Sequence, residues 1–426
     1  MQKLSGKSLL LISFTLFSMF FGAGNLIFPP HLGAQAGTSL WPAFAGLAVS
    51  AVGLPIAGVV AVARAGGLYR LAGRVHPVFA TVFTILVYLS IGPCLAIPRT
   101  ASTSFQMLVP LIGGGTGLQL AYSVLFFTAA FLVALRPEKL TNWLGRILCP
   151  SLILLIVVLF AGCLAHPLAA YYGAPSAEYA ALPTVQGILY GYQTMDTLAG
   201  LNFGAVIALN IRARGVTESR AVESGTIRAG LLAGGLLLAV YAMLSHAGAQ
   251  TGAVYPGLAT GAEVLTALAQ QLFGRAGLVL IAAIFVIACF NTCVGLIACV
   301  GQYFHQLLPR IPYPAIAAFF AVASMLVSNL GLAAIIRLST PVLNAIYPAA
   351  IVLILLSFMP GLEKHRAVYP LCMGLTALQS IAAALPLGAV SAAANALPLG
   401  SMGFGWVLPA LAGLAGGLLF NKSDLQ

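Results

Sequence analysis

The sequence predicts an all-α polytopic membrane protein of about twelve transmembrane helices. It further predicts an inverted repeat of five plus five, with helices one and six discontinuous. Three observations lead there. Hydrophobic residues fill 61% of the 426 positions and charged residues only 6%, at a mean hydropathy of +1.03, whereas about a quarter of a globular chain is charged. Apolar runs of about twenty residues, long enough to cross a bilayer, recur along the whole chain. Helix-breaking residues crowd into the middle of the first run and again into the sixth.

The runs lie near Leu9–Leu32, Leu40–Val62, Val78–Ile97, Leu118–Leu135, Ile147–Leu164 and Val185–Asn210. They continue near Ala229–His246, Ala276–Tyr303, Tyr313–Ser328, Pro341–Met359, Val368–Leu387 and Gly403–Phe420. Read as one transporter domain over 1–426, they form a first repeat at about 9–165 and a second at about 185–359. Two additional helices follow at about 368–420.

A formal charge of +11 raises the question of nucleic acid, and its placement answers with topology instead. With the N-terminus inside, cytoplasmic segments hold Lys3, Lys7, Arg64, Arg70, Arg74, Arg136, Lys139, Arg146, Arg212, Arg214, Arg220, Arg228, Arg310, Lys364, Arg366 and Lys422. Only Arg99, Arg275 and Arg337 lie elsewhere. That asymmetry is the positive-inside pattern and puts both termini in the cytoplasm, in a multi-pass protein of the cell (inner) membrane.

Lys3 and Lys7 ahead of an apolar run look like the start of a cleavable signal. The run continues past any cleavage point, however, and no small-x-small site follows. The seven cysteines are odd in number, sit in or beside apolar runs and include no C-x-x-C pair. Neither a disulfide nor zinc is expected; Cys289 and Cys293, on one helix face, read as small packing residues.

The first run contains FFGAGNLIFPP, Phe20 to Pro30. Glycines can make a small-residue packing face. Yet an internal proline costs roughly 3 kcal/mol or more, and glycine about 1 kcal/mol relative to alanine. A helix broken near Gly22–Asn25 explains the combination better than packing does. The sixth run reads GILYGYQTMDTLAGLNFG, with Asp196 near its centre. A central aspartate costs roughly 2.5–3.5 kcal/mol on insertion scales and marks a functional neighbourhood by default. The competing role for Asp196 is a cap on the half-helix that starts there.

Non-helical backbone at membrane depth survives only where it is buried in protein or lines a cavity. Breaks five helices apart are what an inverted repeat produces, with substrate and ion held between the broken helices. The end of a first half-helix offers carbonyls to Na⁺ or an ammonium; the start of a second offers N–H groups to a carboxylate. A zwitterionic amino acid matches both.

MFFGAGNLIFPPHLGAQAG (Met19–Gly37), IGPCLAIPRT (Ile91–Thr100), GYQTMDTLAGLNFG (Gly191–Gly204) and STPVLNAIYPAAIVLILL (Ser339–Leu356) resemble the bacterial branched-chain amino acid–cation symporters. That family belongs to the amino acid–polyamine–organocation group. The resemblance runs over nearly the whole chain. It implies uptake of leucine, isoleucine and valine coupled to a cation, usually Na⁺; a proton-coupled carrier of other neutral amino acids is the alternative reading. It also implies that the backbone of Ala23 and Gly24 holds the substrate carboxylate. Carbonyls of Ser18, Phe20 and Phe21, the Asn25 amide, and Asn291 and Thr292 of the eighth run become ligand candidates for Na⁺ or the ammonium. The family often carries two neighbouring hydroxyls where this chain has Asn291-Thr292, which leaves the ion's identity open.

The remaining substrate candidates are Gly22, Tyr88, Tyr190, Gly191, Thr194, Met195 and Asp196, with Phe20, Tyr190 and Met195 against the aliphatic side chain. No buried arginine is evident to meet a polar substrate tail; Arg99, near the outer end of the third run, either pairs with a carboxylate or snorkels. His31 reads as a satisfied helix-end histidine, and GGGTG (Gly113–Gly117) as a turn, lacking the lysine of a phosphate loop. A membrane-embedded enzyme would need clustered acids, histidines or cysteines, and a channel a repeated ring of ligands. No cofactor is expected beyond the coupling ion, and no partner beyond substrate, ion and membrane lipid: neither nucleic acid nor an obligate protein.

Overall fold

The computed structural model describes residues 4–136, 141–362, 365–386 and 388–423. Every regular element among them is helical. Seven helices are long and apolar enough to span a bilayer, and the pair Pro183–Tyr192 with Asp196–Arg212, bent by 51°, makes an eighth. One of the seven, Ala23–Ala65, holds two successive segments, because Gly37 turns the chain at φ 48°. Its first part continues the shorter helix Gly6–Phe20 as span one, and Tyr313–Ser328, Val368–Ala384 and Val407–Phe420 are short apolar helices of their own. Among the described residues the spans therefore number twelve, in the order the apolar runs predict.

Four spans outrun their predicted limits. The seventh is a helix from Ser219 to Val254 and the tenth from Leu332 to Phe358, with Pro341 and Pro348 inside it. The eighth runs Gly261–Leu307 across a kink at Gly274, whose φ of 56° admits glycine readily. The third reaches Ile112 rather than Ile97: its helix Pro77–Leu89 passes through an irregular turn at Gly92 and Pro93 and resumes over Ala96–Ile112. Polar residues on these extensions hid them from a hydropathy reading. The third matters most, because it moves Arg99 from the predicted outer end into mid-span.

Hydrocarbon offers helices no hydrophobic reason to associate, so close approach of backbones over small residues does that work. Span one packs on span seven, where a Cβ added to Gly248 would meet the Pro30 carbonyl oxygen at 2.0 Å and one on Gly33 the Ser245 oxygen at 1.9 Å. Span six packs on span two in the same manner, Gly187 against Ala43 and Gly200 against Pro55. Replacing each helix by its counterpart five places along turns the first pair into the second. That exchange is the inverted repeat expressed as packing.

Adding bulk to such a contact forces backbone apart, at about 1–3 kcal/mol or more. Gly248→Val should lower the thermal stability of the detergent-solubilised protein by that amount, whereas Gly235→Val, with nothing within 4 Å of its Cβ position, should leave it unchanged. Equal unfolding midpoints for the two variants would refute a glycine-dependent contact between spans one and seven.

Candidate functional site

The two breaks sit against each other. Span one leaves its helix at Phe21 (ψ 88°) and Gly22, then restarts at Ala23. The Asn25 side chain closes the restart, its Oδ1 accepting the Gly22 N–H at 3.1 Å. Pro29 and Pro30 lie inside the restarted helix rather than ending it; the carbonyls they leave without helical donors are those of Asn25 and Leu26. The break is thus narrower than the predicted Gly22–Asn25. A Cβ on Gly22 would sit 2.6 Å from Thr292 Oγ1, so the approach of span eight is what demands glycine there.

Span six stops at Tyr192 and restarts at Asp196. Met195 between them holds φ 66°, a left-handed conformation that a side-chain-bearing residue adopts at a cost of about 1–3 kcal/mol. Gly191 stands within the first half-helix, pressed on Ser50 of span two. The carbonyls freed at the end of that half-helix are met from span three: Arg99 donates to Gln193 O at 3.1 Å and Thr194 O at 3.4 Å. Its guanidinium also lies 5.6 Å over the Phe28 ring. Arg99 is only 4% exposed, and no carboxylate among the described residues forms an ion pair with it.

Asp196 is equally buried. It does not cap its helix: Met195 holds the cap position with no side-chain bond. Its Oδ2 instead accepts from Asn25 Nδ2 and, at 3.1 Å, from the Tyr241 hydroxyl of span seven, while Asn25 Nδ2 also donates to that hydroxyl. Three residues from three spans thereby close one knot between the breaks.

Around the knot lies a small cavity of about 30 Å³. Phe20, Gly22, Ala23, Gly24, Asn25, Thr194, Met195, Asp196 and Thr292 line it, so most of the predicted site converges. Arg99, Thr100 and the apolar Met19, Ile91, Ala199, Phe203 and Leu296 complete the wall. The expectation that no buried arginine is present is therefore wrong: Arg99 lines the cavity itself. A Cβ on Gly24 would lie 2.7 Å from its Nη2 and 3.2 Å from Thr194 Cα, so glycine is required by the guanidinium and the second break.

Several predicted residues stand elsewhere. Tyr88 stacks on Tyr303, centroids 4.0 Å apart, below the third-span kink and away from the cavity. Tyr190 faces a separate, larger vestibule, its hydroxyl 2.6 Å from His31 Nδ1 and its ring edge-on to Phe28; His31 is satisfied, as the sequence reading has it. Ser18, Phe21 and Asn291 lie behind the cavity wall. There Thr292 Oγ1 is 3.5 Å from Ser18 O, and Asn291 Nδ2 is 3.4 Å from Ser18 Oγ. The buried Asn291 Oδ1 has no hydrogen-bond partner among the described residues, and a cluster of hard oxygens with one unfilled acceptor suits Na⁺. Tyr241 escaped the sequence reading altogether, its one signal being a phenol in an otherwise apolar run.

Two broken helices joined over a cavity, with single opposite charges on its walls, are the architecture of a membrane transporter rather than an enzyme. Solved structures that share the architecture match this chain at low identity. A substrate-bound, outward-open Na⁺-coupled sialic acid symporter superposes with a TM-score of 0.61 at 14% identity, covering 96% of this chain and 89% of its own. The closed conformation of Mhp1, a nucleobase-cation-symport-1 family transporter, gives 0.60 at 12%, covering 96% and 91%.

Sequence relatives narrow the class. The chain matches the branched-chain amino acid transport protein family over residues 5–424 and belongs to it. It is 40% identical to the branched-chain amino acid permease BraB of Bacillus subtilis, across 96% of this chain and 94% of that one. It is 42% identical to the branched-chain amino acid transport system 2 carrier protein of Pseudomonas aeruginosa, across 85% and 83%.

Gly24→Val would drive a side chain into Arg99 and the second break. It should abolish substrate uptake while the protein still inserts and purifies with normal yield. Wild-type apparent affinity in that variant would reduce this stretch to a packing motif.

Proposed function

We propose that the protein imports leucine, isoleucine and valine across the cell (inner) membrane by symport with Na⁺. The observation that carries this reading is the buried Arg99, with no carboxylate ion pair among the described residues, on the wall of the cavity that Asp196 also lines. An arginine is always charged and prefers a carboxylate in its forked geometry. The α-carboxylate of an amino acid supplies one, with the N–H groups at the restart of span one, Ala23 and Gly24, as further donors. The α-ammonium faces the Asp196 carboxyl and the carbonyls that end the first half of span one. The side chain is left with Met19, Ile91, Phe203 and Leu296, an aliphatic wall that accepts branched hydrocarbon. A charged side chain there would be stranded at several kcal/mol.

Na⁺ is assigned to the oxygen cluster of Ser18, Asn291 and Thr292, with Phe21 O and the Asn25 amide nearby in the chain. Proton coupling is the competing reading, and the buried Asp196 with its two hydrogen-bond donors is the observation in its favour. Radiolabelled leucine uptake into proteoliposomes separates the two. Accumulation should require a Na⁺ gradient and persist when the pH gradient is collapsed; indifference to Na⁺ with loss on collapse would establish protons instead. In the same assay Arg99→Gln should raise the apparent KM for leucine by about 10- to 100-fold, as the loss of a charge-assisted hydrogen bond of roughly 1.5–3 kcal/mol implies. An unchanged KM would remove Arg99 from the carboxylate site.

The topology proposed is both termini in the cytoplasm, from the basic residues gathered at one face. A C-terminal reporter active only on the external side would reverse it.

A further inference from the structure

At the face that carries most of the basic residues, away from the transport site, a pocket of about 230 Å³ is lined by Arg74, His365, Arg366 and Tyr369. Arg74 precedes span three, and His365 and Arg366 precede span eleven, so the pocket lies at the level where helices leave the bilayer. It is built rather than incidental. Arg74 Nη1 donates to the Tyr369 hydroxyl at 3.2 Å, its guanidinium lies 5.9 Å over the Tyr369 ring, and that hydroxyl donates to Leu356 O at 3.2 Å. His365 Nδ1 is buried and has no hydrogen-bond partner among the described residues. Arg366 is exposed beside it.

We propose that this pocket binds the phosphate headgroup of one anionic phospholipid of the adjacent leaflet. Two arginines, one of them braced on Tyr369, beside a histidine nitrogen that has no hydrogen-bond partner among the described residues suit an anion, and a phosphodiester offers acceptors without demanding a donor. The positive-inside rule accounts for basic residues at this face, but not for a tyrosine-braced cavity with an unpartnered ring nitrogen. The surroundings distinguish lipid from soluble phosphate. Both spans that leave the pocket present exposed aliphatic residues at helical spacing, Val78, Val82 and Leu86 on one and Leu375, Leu378 and Ile381 on the other. Such faces take acyl chains, for which free phosphate has no use. The leaflet is the cytoplasmic one in the topology proposed above, yet lipid binding by the purified protein does not depend on that assignment.

The test uses the full-length protein, delipidated in detergent and titrated with phosphatidylglycerol, phosphatidylcholine or inorganic phosphate under native mass spectrometry. Phosphatidylglycerol should be retained as a single high-affinity adduct. Arg366→Gln and His365→Gln should each weaken it by about fivefold, the effect of one basic contact near a membrane surface. Arg310→Gln, at an exposed basic site of the same face but outside the pocket, should leave it unchanged. Equal retention of phosphatidylcholine, or equal weakening by Arg310→Gln, would overturn the proposal. Displacement of the adduct by millimolar phosphate alone would assign the pocket to a soluble anion.

Discussion

A bilayer gives no water to a broken backbone, so each helix that stops at mid-membrane must find donors and acceptors on its neighbours. Everything particular to this molecule follows from how its two breaks meet that demand. The first is closed from within, by the Asn25 amide accepting the Gly22 N–H. The second is closed from outside, by Arg99 of span three on the carbonyls of Gln193 and Thr194. Asp196 and Tyr241 then tie the first closure to the second through the other end of the same asparagine. One side chain thus serves both breaks, and neither can shift without disturbing its counterpart.

The glycines follow from the closures. Gly24 is small because Arg99 must pass over it, and Gly22 is small because Thr292 of span eight does. Farther from the site, Gly248 and Gly187 are small because the backbones of spans seven and two lie directly against the broken helices. Glycine therefore does different work at different depths: clearance for a side chain beside the cavity, and contact between helices outside it. The second kind fixes where each half-helix lies, and the first kind needs that placement.

Span number, order and the two breaks were legible in the sequence, because apolar length and helix-breaking residues are local properties. The limits of the third and eighth spans were not, since Gly92 and Gly274 bend helices that continue, and a hydropathy run ends where polarity rises. Arg99 was misplaced for that reason: an arginine just past a span's apparent end at Ile97 reads as a terminal residue until Pro93 is seen to kink the helix rather than end it. Tyr88 and Tyr190 failed differently. Each lies on a predicted helix, and only Tyr190 near a predicted break, but one turn decides whether a ring faces the cavity, the vestibule or Tyr303, and only tertiary packing sets that rotation. Tyr241 had little local signal beyond a phenol in an apolar run, because its partners, Asn25 and Asp196, are 216 and 45 residues away in the chain.

The placement of charge gives the last constraint. Arg99 and Asp196 are the cavity's two ionisable groups of opposite kind, held apart by separate hydrogen-bond sets: carbonyls and a phenyl ring for the guanidinium, an amide and a phenol for the carboxyl. Had they met directly, each would satisfy the other and the cavity would offer a ligand only apolar wall. Kept apart, each retains an incentive to bind, and the incentives have opposite sign. A zwitterion answers both at once, and its two charges leave with it; a simple cation or anion answers one and leaves the other more exposed to mismatch. In the proposed reading this separation selects the α-amino acid, and the aliphatic wall selects the branched side chain. The strained left-handed Met195 belongs to the same device, since a span six that ran straight through that turn would leave no free carbonyls at Gln193 and Thr194 to hold Arg99 away from Asp196.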